Sequence, residues 1–380
     1  MRETYVVGVG MTPFGRHEDK TIEDLGQEAL RGALANAGLE FPAIEMAFCG
    51  HAMQGTTAGQ RVINRVGNTG IPIINVENAC ATGSTALYQA VMAVRSGVAD
   101  VALAIGFEKM GRGPIQNPAV AAARPAATPR PAGAAPMPSM FSEVFKAHSK
   151  KYGTTIEQMA RVSVKNHNNA SLNPRAQYGF KVTLEDVLNA RMVADPLTLL
   201  MCCPTSSGAA AAIVASAEVA RSCKNKPVAI LASILQSERP GTPGDALHGV
   251  TEINTRAAEK AYAQAGVKPG ALDLIELHDC FAIAEIVHYE NLGLCARGEG
   301  GKFAEMGFGE IGGKVAVSPS GGLLAKGHPL GATGIAQVVE LVEQFRGESG
   351  PRQVKGAKLG LAHCQGFGGA VTVHILTSQV

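Results

Sequence analysis

The chain contains an internal repeat. The run Ala33-Leu34-Ala35-Asn36-Ala37-Gly38-Leu39 lines up with Ala261-Tyr262-Ala263-Gln264-Ala265-Gly266-Val267, and Gly266 lies 228 positions beyond Gly38. At the same offset and without a gap, Ile44, Met46 and Phe48 fall on Leu272, Leu274 and Glu276. A helix, a short turn and a strand therefore occur twice. A second echo sets Ala81-Thr82-Gly83 against Ala332-Thr333-Gly334, each ahead of a helical apolar stripe. Two similar α/β halves are implied, and a site is expected at their junction.

Strand patterns at Thr4 to Val9, Ile71 to Val76, Val98 to Ile105, Pro227 to Leu235, Lys314 to Ser318 and Lys358 to His363 alternate with helical ones, which supports the α/β reading. Between the halves, Gly111 to Pro138 is dominated by Pro, Ala, Gly and Arg and cannot supply a core of its own. The next stretch, Phe141 to Leu200, carries amphipathic helices and the basic residues Lys146, Lys150, Lys151, Arg161, Lys165 and Arg175, and reads as an insertion. A formal net charge of +2 gives no general hold on nucleic acid or anionic lipid. Eight cysteines without a Cys-x-x-Cys pair argue against a disulfide scaffold or a structural zinc site, and the thiols are expected to be reduced. Met1 to Phe14 lacks a secretory apolar region, and Gly208 to Ala217 is too short to span a bilayer. A cytoplasmic protein is expected.

Four segments carry chemistry. Cys80, in Asn78-Ala79-Cys80-Ala81-Thr82-Gly83, sits at a strand-to-helix junction, where N–H groups and the helix dipole are expected to ease its ionisation. That is the setting of a nucleophile, with a small buried hydrophobe as the alternative. His328, between Gly327 and Pro329 in a glycine-dense loop before a helix, suits deprotonation of a facing thiol, or else caps the helix. His278-Asp279-Cys280-Phe281 follows the apolar run Leu272 to Leu277 and emerges at a strand's carboxyl end, where ligands of α/β sheets collect. Its three side chains are all potential metal ligands, but sequence neighbours point apart and no metal is expected. His363-Cys364-Gln365-Gly366 follows another strand, and its glycines could present N–H donors to an oxyanion. Gly8-Val9-Gly10 fails as a dinucleotide fingerprint because Pro13 replaces the third glycine. Cys49, Cys202, Cys203, Cys223 and Cys295 are read as packing.

Together these segments, in this order and spacing, resemble the four catalytic loops of thiolases. The His278-Asp279-Cys280-Phe281 version is similar to the sterol carrier protein type and related bacterial and archaeal enzymes. The resemblance covers nearly the whole chain. It implies a five-layered αβαβα fold built from two duplicated halves with an inserted loop domain over the active site, and at least a homodimer. The corresponding boundaries are 1–110 for the first half, completed by about 201–226, then 111–200 for the insertion and 227–380 for the second half.

The resemblance further implies an acyltransferase in which Cys80 accepts the acyl group and His328 activates its thiol. His278 and His328 would bind one thioester oxygen, and the backbone N–H groups of Cys80 and Gly366 the other. The chain carries both Cys280 and Cys364; either could be the acid/base, and the reading leans to Cys364. Ser206 and Ser207 resemble the loop along the pantetheine arm, and some of the insertion's basic residues would suit the phosphates of coenzyme A. Coenzyme A is expected as co-substrate with no permanent cofactor, and a small zinc-ribbon and OB-fold subunit as a further partner. The rival readings are a β-ketoacyl synthase-like condensing enzyme and a non-catalytic binding or scaffold subunit.

Overall fold

The computed structural model of the chain describes residues 2–111, 136–241 and 245–379. Of the Pro- and Ala-rich stretch noted above, 112–135 lies outside them. The first half runs β1 (Thr4–Met11), α1 (Ile22–Ala37), β2 (Met46–Gly50), α2 (Ala58–Asn64), β3 (Ile73–Val76), α3 (Thr82–Ser96) and β4 (Val101–Glu108). The insertion holds α4 (Pro136–Tyr152), α5 (Ile156–Ala170), α6 (Leu184–Asn189) and the hairpin β5 (Met192–Ala194) with β6 (Leu197–Thr198). Then β7 (Gly208–Ser216) and α7 (Ala217–Ala220) return to the first half. The second half runs β8 (Val228–Ser237), α8 (His248–Ala265), β9 (Leu274–Glu276), α9 (Ala282–Asn291), α10 (Gly300–Glu305), β10 (Ala316–Val317), α11 (Leu330–Arg346), β11 (Leu359–Gly366) and β12 (Ala370–Thr377).

Among the described residues one ten-stranded mixed sheet has the order β10-β9-β11-β12-β8-β1-β7-β4-β2-β3. Read outward from its centre, β1-β7-β4-β2-β3 and β8-β12-β11-β9-β10 are the same five-strand unit. Each unit has antiparallel pairs first, then β4-β2-β3 and β11-β9-β10 parallel. Only Tyr5 with Ala229 and Val6 with Val228 join the units. The repeat also fixes local punctuation: α1 and α8 both end on a left-handed glycine, Gly38 (φ 71°) and Gly266 (φ 68°). Short 3₁₀ turns follow at Phe41–Ala43 and Pro269–Ala271.

Helices α1 and α8 cover the outer faces of their units, while α3 and α11 lie between the two units and touch both. The layering is α, β, α, β, α. The central layer is a dry core that includes Leu87, Val91, Ile335 and Val339. The insertion packs Phe141, Met159, Val187 and Met201 against Phe281, Ile283 and Leu323, so its own core is shared with the second half.

Two of the strand boundaries that differ from the sequence expectation bear on the site or have a direct cause. The strand expected from Val98 starts at Val101, because Val98 is 69% exposed in the turn after Gly97, the left-handed end of α3. The strand expected to stop near His363 continues to Gly366, because β12 pairs with it through Gly366 and Ala370. Cys364 therefore stands within a strand rather than beyond one.

Candidate active site

Glycines bring the two helix starts together. Gly83, near the start of α3, and Gly331, at the start of α11, touch so closely that a Cβ on Gly83 would lie 2.1 Å from Gly331 O. A side chain there would force the helices apart. This contact seats Cys80, in the 3₁₀ turn Ala79–Ala81 before α3, against the loop that carries His328. Ala79 adopts a left-handed φ of 49°, an uncommon conformation for a residue with a Cβ. The Glu77 carboxylate accepts its N–H at 2.7 Å.

The sulfur of Cys80 and one ring nitrogen each of His278 and His328 all lie within 4.8 Å of one another. The His278 and His328 rings meet edge-on with centroids 5.1 Å apart. Cys364 joins them: its thiol donates to Cys80 O at 3.1 Å and its sulfur is 3.5 Å from His278 Nδ1. Cys280 is buried beside these groups, and its carbonyl accepts from Cys203 N at 3.0 Å. Gly366 lets the β11 hairpin approach the Cys80 turn, since a Cβ there would lie 2.1 Å from Asn78 O. The N–H of Phe367, one residue further, and that of Cys80 itself are directed at the Cys80 sulfur.

Burial dominates the electrostatics. It pushes the Cys80 thiol up to about 12, against those two N–H groups and reinforced by the Glu108 and Glu77 charges. This reverses the expected easy ionisation, because the helix start acts on a sulfur that has lost most of its water. Burial also drives His328 down to about 3, and it drives His278 well below the usual imidazole value, with His328 and His363 adding to the effect. Cys364 and Cys280 are pushed well above the usual thiol value by burial, with charge on Cys80 raising both further. At rest the site is a set of neutral thiols and neutral imidazoles.

His328 is held at two points and left open at a third. Its N–H donates to Ser206 Oγ at 3.0 Å, its Nδ1 is 2.8 Å from Thr333 Oγ1, and its Nε2 is buried with no hydrogen-bond partner. Ser206 in turn donates to Gln177 Oε1 at 2.6 Å, and Ser207 Oγ accepts from Met110 N at 3.1 Å. Both serine hydroxyls thus make contacts within the protein, and Ser206 holds the His328 backbone directly. The π-helical turn Gly322–Lys326 ahead of His328 is tied down by Asp279, which accepts from Leu323 N and Leu324 N at 2.8 and 3.2 Å and from Asn166 Nδ2 at 2.7 Å. Asp279 is therefore no companion of Cys280 for a metal. Its acid is raised to about 7 by burial and by neighbouring Glu285. The donors close enough to share an ion are Cys80, His278 and His328 themselves.

Two basic residues considered for phosphate binding are engaged inside the protein. Lys165 is buried, 2.9 Å from Glu285 and 2.6 Å from Val317 O, and Arg175 pairs with Glu343 at 2.9 Å. Sequence reasoning missed Cys203, dismissed as packing, which belongs to the same thiol cluster: Cys80 and Asp279 are among its electrostatic neighbours. It also missed Glu108, whose buried carboxylate accepts from Ala52 N, Met53 N and Gly331 N and so binds the start of α11 to the loop after β2. A carboxylate ending the otherwise apolar strand Val101–Glu108 was the available signal.

A thiol and an imidazole within 4.8 Å of each other, with N–H donors at the sulfur and a second thiol nearby, suit acyl transfer. Comparison with known proteins agrees. Residues 4–218 match the thiolase N-terminal domain and residues 246–378 the thiolase C-terminal domain-like family. An acetyl-CoA acetyltransferase of Methanothermobacter thermautotrophicus is 44% identical, over 99% of this chain and 100% of that protein. Sterol carrier protein 2 of Bos taurus is 45% identical over 97% of this chain and 71% of its own length. A solved structure described as an Ltp2-ChsH2(DUF35) aldolase superposes with a TM-score of 0.88 at 26% identity, covering 100% of this chain and 98% of that one. The chain belongs to the thiolase family and is an acyltransferase.

Proposed function

We propose that this chain cleaves 3-oxoacyl-CoA thioesters with coenzyme A, or runs the reverse Claisen condensation, through an acyl group carried on Cys80. The observation that carries the reading is the convergence of Cys80, His278 and His328 within 4.8 Å, with Cys364 on His278. His328 Nε2, which has no hydrogen-bond partner, takes the Cys80 proton as the sulfur attacks the 3-oxo carbon. The bond between Cα and Cβ breaks, its electron pair goes to Cα, and the Cys364 thiol protonates that carbon. His278 and His328 stabilise the enolate oxygen, while the N–H groups of Cys80 and Gly366, with Phe367 alongside, receive the oxyanion at the transferred carbonyl. Coenzyme A then gives its thiol proton to Cys364 and attacks the thioester. Cys80 leaves and recovers its proton from His328.

Cys364 is preferred to Cys280 as the acid/base because it contacts both Cys80 and His278. Coenzyme A is the co-substrate, and Ser206 and Ser207 are kept only as a loop along its channel, since their hydroxyls, and for Ser207 the backbone N–H and carbonyl as well, are engaged within the protein. We assign the boundaries 1–110 with 201–226, 111–200 and 227–380 to the two halves and the insertion, in a cytoplasmic protein. A homodimer is supported by the free edge of the sheet at β3, where Ile74 is 43% exposed. A small zinc-ribbon and OB-fold subunit is a further proposed partner; the similar aldolase structure contains a DUF35 component.

The test is mass spectrometry of the protein mixed with acetoacetyl-CoA, with and without coenzyme A. An acyl adduct on Cys80 that coenzyme A discharges is expected. No adduct across several acyl-CoAs favours the scaffold reading, and an adduct that only an acyl carrier protein thioester produces favours a condensing synthase.

A further inference from the structure

Strands β9 and β11 run parallel and in register from Leu274 with Gly360 to Glu276 with Ala362, and there their pairing ends. One residue further on each strand, Leu277 and His363 directly precede the two groups that must meet, His278 and Cys364. Their carbonyls have no ladder partner in each other. Both are taken by one side chain: Gln337 Nε2 donates to Leu277 O at 3.0 Å and to His363 O at 2.9 Å. Gln337 is fully buried on α11, nine residues beyond His328, and its own Oε1 has no partner. An orphaned buried acceptor is a cost that an apolar residue at this position would not carry.

A second tie closes the same gap. His363 Nδ1 accepts from His278 N at 3.4 Å, and His363 Nε2 donates to Asn254 Oδ1 at 2.7 Å. His363 is thereby a neutral imidazole whose acceptor nitrogen is turned to the His278 backbone.

We infer that Gln337 is a positioning residue. Its amide fastens the splayed ends of β9 and β11 to the helix that begins beside His328, and so sets the contact between His278 and Cys364. The inference rests on the thiolase reading above. Gln337 touches no reacting atom; it acts through the carbonyls one residue before each of them. Gln337 makes no hydrogen bond to Cys80 or His328, whereas the two groups whose carbonyl neighbours it holds, His278 and Cys364, are those that proton transfer at the acyl-CoA α carbon uses.

The experiment compares two rates in wild type, Gln337→Met and Gln337→Glu. One is exchange of acetyl-CoA α protons with deuterated water, the other acylation of Cys80 by the same thioester. Methionine keeps the volume and removes both donors. Exchange is expected to fall about tenfold or more while acylation stays within about threefold, as a displaced acid would cause. Equal rates in variant and wild type, or equal losses in both rates, overturn the inference, since a merely structural role moves both together. If the methionine variant is insoluble, the glutamate variant decides by the same ratio, because its carboxylate lacks the paired donors. A wild-type protein that neither exchanges nor acylates overturns the thiolase reading itself, a distinct result.

Discussion

Thr333 fixes the tautomer of His328. The threonine hydroxyl has one proton, and at 2.9 Å it donates that proton to Pro329 O. Its 2.8 Å contact with His328 Nδ1 must then be an N–H donating to the hydroxyl oxygen. Nε2 is left with its lone pair, buried and unpartnered, at the thiol cluster. Replacing Thr333 with valine keeps the shape and frees the ring to take either tautomer. Turnover is expected to fall about tenfold to a hundredfold with KM little changed, read by steady-state thiolysis; an unchanged kcat would remove Thr333 from the mechanism.

The resting thiol is expected to be unreactive at neutral pH. With Cys80 pushed up to about 12, alkylation by iodoacetamide should be slow at pH 7 and rise steadily through pH 10 without a plateau. Substrate-driven acylation, in which His328 removes the proton during attack, should stay nearly flat over pH 6 to 8. A plateau of alkylation below pH 8 would mean that the thiolate pre-exists.

Falling pH should weaken the fold through its buried histidines, against the opposing effect of buried acids such as Asp279, raised to about 7, which takes up its proton in the folded state. His328 and His363 are held near 3 and His374 near 4, all below the ordinary imidazole value. The folded state disfavours protons that the unfolded chain accepts, so this stability is complete above about pH 6.5 and is lost as pH falls toward 3. The melting temperature is expected to drop by roughly 5 °C or more between pH 7 and 5. His374, which lies between Ser84 and Ser233, offers a control: His374→Asn should flatten that decline. An equally steep decline in the variant would contradict the assignment.

Gly83→Ala should cost stability and activity together. The new Cβ would meet Gly331 O at 2.1 Å, and a rigid helix-to-helix contact relaxes only by separation. About 1–3 kcal/mol is expected by denaturant titration, with slower Cys80 acylation. A neutral variant would show that the two helix starts are not in close contact.

Removing one partner of the buried pair Lys165 and Glu285 should also be costly. Lys165→Met leaves Glu285 against Asn166 and Tyr289 without its cation, for an expected loss of about 3–5 kcal/mol in denaturant titration. A loss below about 1 kcal/mol would indicate that water reaches the carboxylate.

The fold was legible because duplication writes itself into spacing. The glycines at 38 and 266 and the strands after them fall at a single offset, and topology repeats wherever the sequence does. Cys80, His278 and His328 were legible because each follows a strand or precedes a helix, where α/β proteins expose reactive groups, while Cys364 was legible as a thiol beside the glycines of its motif, although it stands inside β11. Gln337, Asn254, Glu108 and Cys203 were not. Each acts on a residue far away in the chain, and a polar residue in an apolar helical stripe does not announce which carbonyl it will meet. The direction of the Cys80 shift was also hidden, since the dipole of α3 is readable from sequence and the loss of water around the sulfur is not.

Five matching strands in each unit do not make equal partners. The first carries Cys80, the proposed nucleophile; the second carries His328, the proposed base, with His278 beside it and Cys364. On the proposed roles, severing the chain between residues 220 and 227 would leave each fragment without the groups that the other holds. Two like frameworks thus bring unlike side chains to one proposed cleft.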